Sequence, residues 1–102
     1  MLEVTQAKYL NDYQLALSFS DGCEGVVDLY PFLEQESRKV FQPLWDVSVF
    51  KAFQLEYGTL TWLNGTLTWL NGTIDLAPEY LYFLAKRYDA TLQTQFAEWG
   101  YL

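Results

Sequence analysis

The groups in this chain singled out for possible chemistry are three of its thirteen acidic residues, Asp21, Asp28 and Asp75, and its one thiol, Cys23. Paired carboxylates can exchange protons with a substrate or hold a hard cation, and a thiolate can attack a carbonyl. The sequence around them weighs against each use. The spacing of the aspartates fits no metal-ligand loop. The chain has no histidine, which removes the commonest general base and metal ligand and leaves Cys23 with no imidazole to activate it. Cys23 therefore reads as a small packing residue, Asp21 as part of a turn, and Asp75 as capping or preceding the last helix. The glycines fall singly at turns, so no phosphate-cradling loop is present. The aromatics Trp45, Trp62, Trp69, Trp99, Tyr80, Tyr82 and Phe83 could line a groove or stack on bases, but most are expected in the core. The expectation is no catalytic residue, no metal and no cofactor. The alternative is a small-molecule-binding or hydrolytic domain using Asp21, Asp28 and Asp75.

Size and charge narrow the field further. The chain has 102 residues, 51% of them apolar and 19% aromatic, enough for one domain with one core and too apolar for disorder over most of its length. Thirteen acidic against six basic residues give a net charge of -7. That field repels phosphate backbones, so nucleic-acid binding is not expected, whereas a basic protein partner would be attracted. A single cysteine permits no internal disulfide. No signal-like N-terminus and no membrane-length apolar run is seen, so a cytoplasmic location is expected. Asn64-Gly65-Thr66 and Asn71-Gly72-Thr73 match the glycosylation pattern formally but read better as turns.

The elements that would position these residues follow from periodicity. Residues 2–9 suit a first strand, and Asn11-Asp12 a turn. Residues 13–20 alternate, with Tyr13, Leu15, Leu17 and Phe19 on one face, as a half-buried strand requires. Asp21-Gly22 is favourable hairpin chemistry, and residues 23–30 form a third strand with Val26, Val27 and Leu29. Pro31 stops the ladder. A helical turn with Phe32 and Leu33 inward follows, then a polar loop at 34–39. A short helix is expected over 42–50, with Pro43 at its first position and Leu44, Val47 and Phe50 at helical spacing. Residues 52–56 return to strand spacing. After Pro78, the residues Leu81, Leu84, Ala85, Tyr88, Leu92, Phe96 and Trp99 predict one amphipathic helix of about 20 residues, ended by Gly100.

Between these lies an exact repeat: Gly58-Thr59-Leu60-Thr61-Trp62-Leu63-Asn64 is followed at once by the same seven residues at 65–71. Gly72-Thr73-Ile74 begins a third, degenerate copy. Seven residues are five of strand plus two of turn, so each copy can add one meander strand without moving the apolar face. With Tyr57-Gly58, Asn64-Gly65 and Asn71-Gly72 as turns, Leu55 opposes Leu60, Phe53 opposes Trp62, Trp62 opposes Leu67, and Leu60 opposes Trp69. Trp69 then opposes Ile74, and Leu67 opposes Leu76. The threonines at 59, 61, 66 and 68 share the other face with Leu63 and Leu70, which with Tyr80 or Phe83 would form an apolar patch suited to a partner.

Several phrases carry a family resemblance: Phe19-Ser20-Asp21-Gly22 with Val27-Asp28-Leu29, Phe41 to Leu44 before Phe50, Gly58 to Trp62, and Asn71-Gly72 followed by Asp75-Leu76-Ala77-Pro78 and Leu81-Tyr82. Over roughly residues 2–85 the chain resembles the small bacterial family called domain of unknown function 2442. The resemblance implies a compact α+β domain with an antiparallel sheet and no established activity. Some relatives are fused to helix-turn-helix domains and some are encoded beside another small protein, which implies regulatory or toxin–antitoxin-like pairing. Two departures stand out. The family pattern has the glycine-to-asparagine segment once, and many relatives carry proline where Leu63 and Leu70 stand here. Residues 86–102 lie beyond the resemblance as an extension.

The reading is a single α+β domain: an antiparallel meander, a short middle helix, and a C-terminal amphipathic helix on one face. An added meander strand would reverse the chain and send the last helix from the wrong end of the sheet. Three outcomes are open: the helix relocates, one copy bulges out, or the segment opens into an arm whose terminal part crosses to a second molecule. The last, an intertwined homodimer or larger assembly, is expected. The exchange segment is Gly58, Leu60, Trp62, Leu63, Asn64, Gly65, Leu67, Trp69, Leu70, Asn71 and Gly72.

Overall fold

The computed structural model describes residues 2–56, 58–63 and 73–102. Among these residues, two three-stranded antiparallel sheets, four short α-helices and two 3-10 stretches make up the fold. The first sheet is the expected meander of β1 (Val4–Asn11), β2 (Gln14–Phe19) and β3 (Glu24–Asp28). Its turns have the expected chemistry. Asp12 and Gly22 both take positive φ, at 44° and 89°, a region open to glycine and tolerated by aspartate. Leu15, Leu17 and Phe19 are buried along one face of β2, as their alternation requires.

Helix α1 (Tyr30–Gln35) carries Pro31 in its first turn and buries Leu33, where a missing amide hydrogen costs nothing. The helix expected over 42–50 is broken in two. A 3-10 stretch (Lys39–Trp45) contains Pro43, and α2 (Val47–Phe50) starts afresh after Asp46. The cause is the Asp46 carboxylate, which accepts from the Ser48 amide at 2.9 Å and so caps a new helix start. Leu44 and Phe50 still reach the core.

The second sheet holds β4 (Gln54–Glu56), β5 (Thr59–Leu63) and β6 (Thr73–Leu76), with β5 in the middle. The two sheets meet where the Val4 amide donates to the Gly58 carbonyl at 2.8 Å.

The final helix also departs from expectation. It is two helices: α3 (Pro78–Lys86) and α4 (Gln93–Glu98), separated by a corner and a 3-10 turn (Ala90–Leu92). Asp89 explains the break, because its carboxylate accepts from the Thr91 amide at 2.9 Å and restarts the chain. Tyr88, expected on the apolar stripe, is 90% exposed at the corner. Phe96 nevertheless returns to the core fully buried, edge-on to Phe83 with ring centroids 5.1 Å apart. Gly100, at φ 90°, ends α4 as expected, with the Tyr101 amide donating to the Phe96 carbonyl at 2.9 Å.

Candidate interaction site at the repeated strand

The first copy of the repeat builds the centre of the second sheet. On one side it pairs with β4, Leu55 opposite Leu60 and Gln54 opposite Thr61. Glu56 opposes Thr59, so the hairpin has the two-residue length expected for Tyr57-Gly58. Gly58 sits at φ 74°, a backbone conformation that favours glycine, and a Cβ there would have to push the Glu3 side chain aside. On the other side β5 pairs with β6: Leu60 with Leu76, Thr61 with Asp75, Trp62 with Ile74, Leu63 with Thr73.

That last register corrects the four-strand meander. Leu60 and Trp62 do not face residues 67 and 69; they face β6 directly. The first copy therefore takes the place that a single-copy chain would fill, because an Asn-Gly turn after Leu63 would yield the same four pairs. Nine residues, 64–72, now join two strands that a two-residue turn could join. Asn64, Gly65, Leu67, Trp69, Leu70, Asn71 and Gly72 lie outside the described residues.

Both faces of β5 are buried. Leu60 and Trp62 point into the core at 0% and 1% exposure. The Trp62 ring stacks on Phe50, and its Nε1 donates to the Phe50 carbonyl at 2.7 Å. A buried indole needs such an acceptor. Thr59 and Thr61 are buried as well, where an open face was expected. Their hydroxyls donate to the carbonyls of Leu76 and Gln54, so each buried polar atom is satisfied. Of the apolar patch expected from Leu63 and Leu70 with Tyr80 or Phe83, Leu70 lies outside the described residues. Phe83 is buried, sandwiched between Phe96, Tyr101 and the Arg87 guanidinium, and Tyr80 is half-buried against Tyr101 and Phe32.

Asp21 and Asp28 do not come together. Asp21 accepts from the Cys23 amide at 2.9 Å in the turn before β3, and Asp28 accepts from the Tyr30 amide at 2.9 Å after it. The five-residue strand between them holds the two turns at opposite ends of the hairpin, about 20 Å apart. Asp75 lies in β6, and Ala77 takes the N-cap position of α3, so Asp75 precedes that helix without capping it. An open groove of about 720 Å³ crosses the outer face of the first sheet, past Lys8, Ala16, Ser18 and Val26. Neither Asp21 nor Asp28 lines it.

One polar cluster was not foreseen. The Tyr82 hydroxyl donates to the Cys23 sulfur at 3.5 Å, with the Asp21 carboxyl close enough to act on it. Burial, then these two partners, pushes the Tyr82 phenol well above its usual range. Burial acts to raise the Asp21 carboxyl, but the Cys23 amide and the Tyr82 hydroxyl outweigh it and hold the group below its ordinary value. Tyr82 thus stays protonated as a donor, and Cys23 packs as expected. The residues lie 59 apart in sequence, and only the docking of α3 against β3, with Ala85 on Gly25, brings them together.

The fold is an α+β domain of antiparallel sheet and short helices, with a strand-pairing position at the centre of its second sheet. The chain belongs to the family described as Protein of unknown function (DUF2442), whose match covers residues 4–87. No curated protein and no solved structure matches it.

Proposed function

We propose that this is a non-enzymatic protein-interaction domain that works as an intertwined homodimer, serving as one partner of a regulatory or toxin–antitoxin-like pair. One observation carries the reading: nine residues stand between β5 and β6. A connection of that length reaches about 30 Å when extended, enough to cross to a neighbouring molecule. In the dimer, β6 and α3 of one chain pair beside β5 of the other. Every strand pair of the second sheet is kept, β4 with β5 inside a chain and β5 with β6 between chains, so the cost is that of association alone. Asp21 and Asp28, each engaged in its own turn, support the non-enzymatic part. The net charge of -7 favours a basic protein as the second partner.

The test is solution mass by sizing with light scattering, on this chain and on one lacking residues 65–71. The full chain is expected at twice the monomer mass and the shortened chain at the monomer mass. Monomeric mass for both would overturn the dimer.

A further inference from the structure

We infer that the free edge of β3 takes an added antiparallel strand from a basic partner protein, in the pattern cation–x–apolar–x–cation. This docking rests on the reading of a basic protein as second partner; the homodimer is not needed for it. Among the described residues, β3 is the last strand of the first sheet. Backbone groups along an antiparallel strand point alternately to one side and the other. The Cys23 carbonyl accepts from the Phe19 amide, and the Leu29 amide donates to the Tyr13 carbonyl, so Cys23, Gly25, Val27 and Leu29 face β2. The amides and carbonyls of Glu24, Val26 and Asp28 therefore face away from it, with no partner among the described residues. Three amides and three carbonyls in that alternation form a template for one more strand.

The side chains select which strand. Glu24, Val26 and Asp28 stand together on the outer face, all exposed, Val26 at 54%. With two copies of this chain joined antiparallel about Val26, Glu24 of one copy would oppose Asp28 of the other. Like charges directly opposite destabilise a strand pair, so self-pairing is rejected. A strand with Lys or Arg at both ends and an apolar residue between them makes the same two contacts favourable. Its apolar residue stands beside Val26. On the other side Val26 opposes only the small Ala16, and the open groove past Ala16 and Ser18 gives the partner's longer side chains room to lie across β2. Lys8, the only cation in the three strands, opposes Ala16 from β1. It is three strand spacings, about 14 Å, from an added strand, beyond the screening length of about 10 Å at 0.1 M salt.

The test uses the full chain, isotope-labelled, and two end-blocked peptides: Thr-Lys-Thr-Val-Thr-Lys-Thr, and the same peptide with glutamate for both lysines. Amide exchange is read residue by residue by NMR. The lysine peptide, at about ten times its dissociation constant, is expected to slow exchange at Glu24, Val26 and Asp28 about tenfold. Gly25 and Val27, already bonded to β2, are expected to stay as they are, and the glutamate peptide to change none of the five. Glu24→Lys is expected to weaken the lysine peptide about fivefold. Val26→Pro removes an outward amide that β2 does not use, and is expected to abolish binding while the urea midpoint is kept. Lysine-peptide binding that protects other amides and spares these three overturns the edge but leaves the basic-partner reading standing. Undiminished binding to Glu24→Lys and Val26→Pro, or no binding of either peptide, likewise overturns the edge. Equal slowing by both peptides overturns the basic partner, and the selection by Glu24 and Asp28 with it.

Discussion

Glu36 and Arg38 form an ion pair at 2.9 Å, and the Glu36 carboxylate also accepts from the Arg38 amide. The Arg38 guanidinium first, then its amide, holds Glu36 down to about 2, from an ordinary value of 4.5. A depressed carboxylate contributes stability that is complete above the unfolded value and is lost as pH falls through the folded one. The contribution is therefore intact above about pH 5 and disappears toward pH 2. Asp46 and Asp89 shift in the same direction, each because its side chain accepts from the hydroxyl and amide two residues on. Melting temperature is expected to fall from pH 5 to pH 2, and to fall less in Glu36→Gln; equal slopes would count against the pair. The two aspartate caps have a sequence pattern, Asp-x-Ser and Asp-x-Thr, which the continuous helices expected over 42–50 and after Pro78 passed over. The link from Tyr82 to Cys23 has none, because no spacing rule reaches across a helix docked on a strand.

Among elements, the split of the last helix shows where periodicity misleads. Leu81, Phe96 and the half-buried Trp99 do return to the core, as one continuous helix would have had them do. The break at Asp89 leaves Tyr88 of that stripe exposed at the corner, but α4 folds back and returns Phe96 and Trp99 to the core. Phe96 therefore belongs to the core although it lies beyond the residues that match the family. Phe96→Ala is expected to cost about 3–5 kcal/mol, measured by urea unfolding; a loss below 1 kcal/mol would show that the segment only rests on the surface. The first sheet and the Leu55–Leu60 hairpin were legible for a different reason, since alternation and turn chemistry specify them independently. Which copy of the repeat fills β5 was not legible, because identical residues give identical pairing energies.

For the molecule as a whole, the second sheet is held by a strand buried on both faces, and the aromatic cluster of α3 is closed by a segment from beyond the family-matched part. No helix among the described residues is long and apolar enough to cross a membrane. The corner between α3 and α4 has a consequence of its own. Lys86, Arg87 and Tyr88 stand there in sequence, the last two exposed, next to a segment pinned by Phe96, Trp99 and Tyr101. Exposed corners are where proteases nick folded chains, and these residues suit both trypsin and chymotrypsin. Brief digestion is expected to cut at 87–88 and leave two pieces that elute together and separate only in denaturant; early loss of the shorter piece would contradict this. The backbone can be severed at Tyr88 while the aromatic rings on either side of the cut keep the halves together.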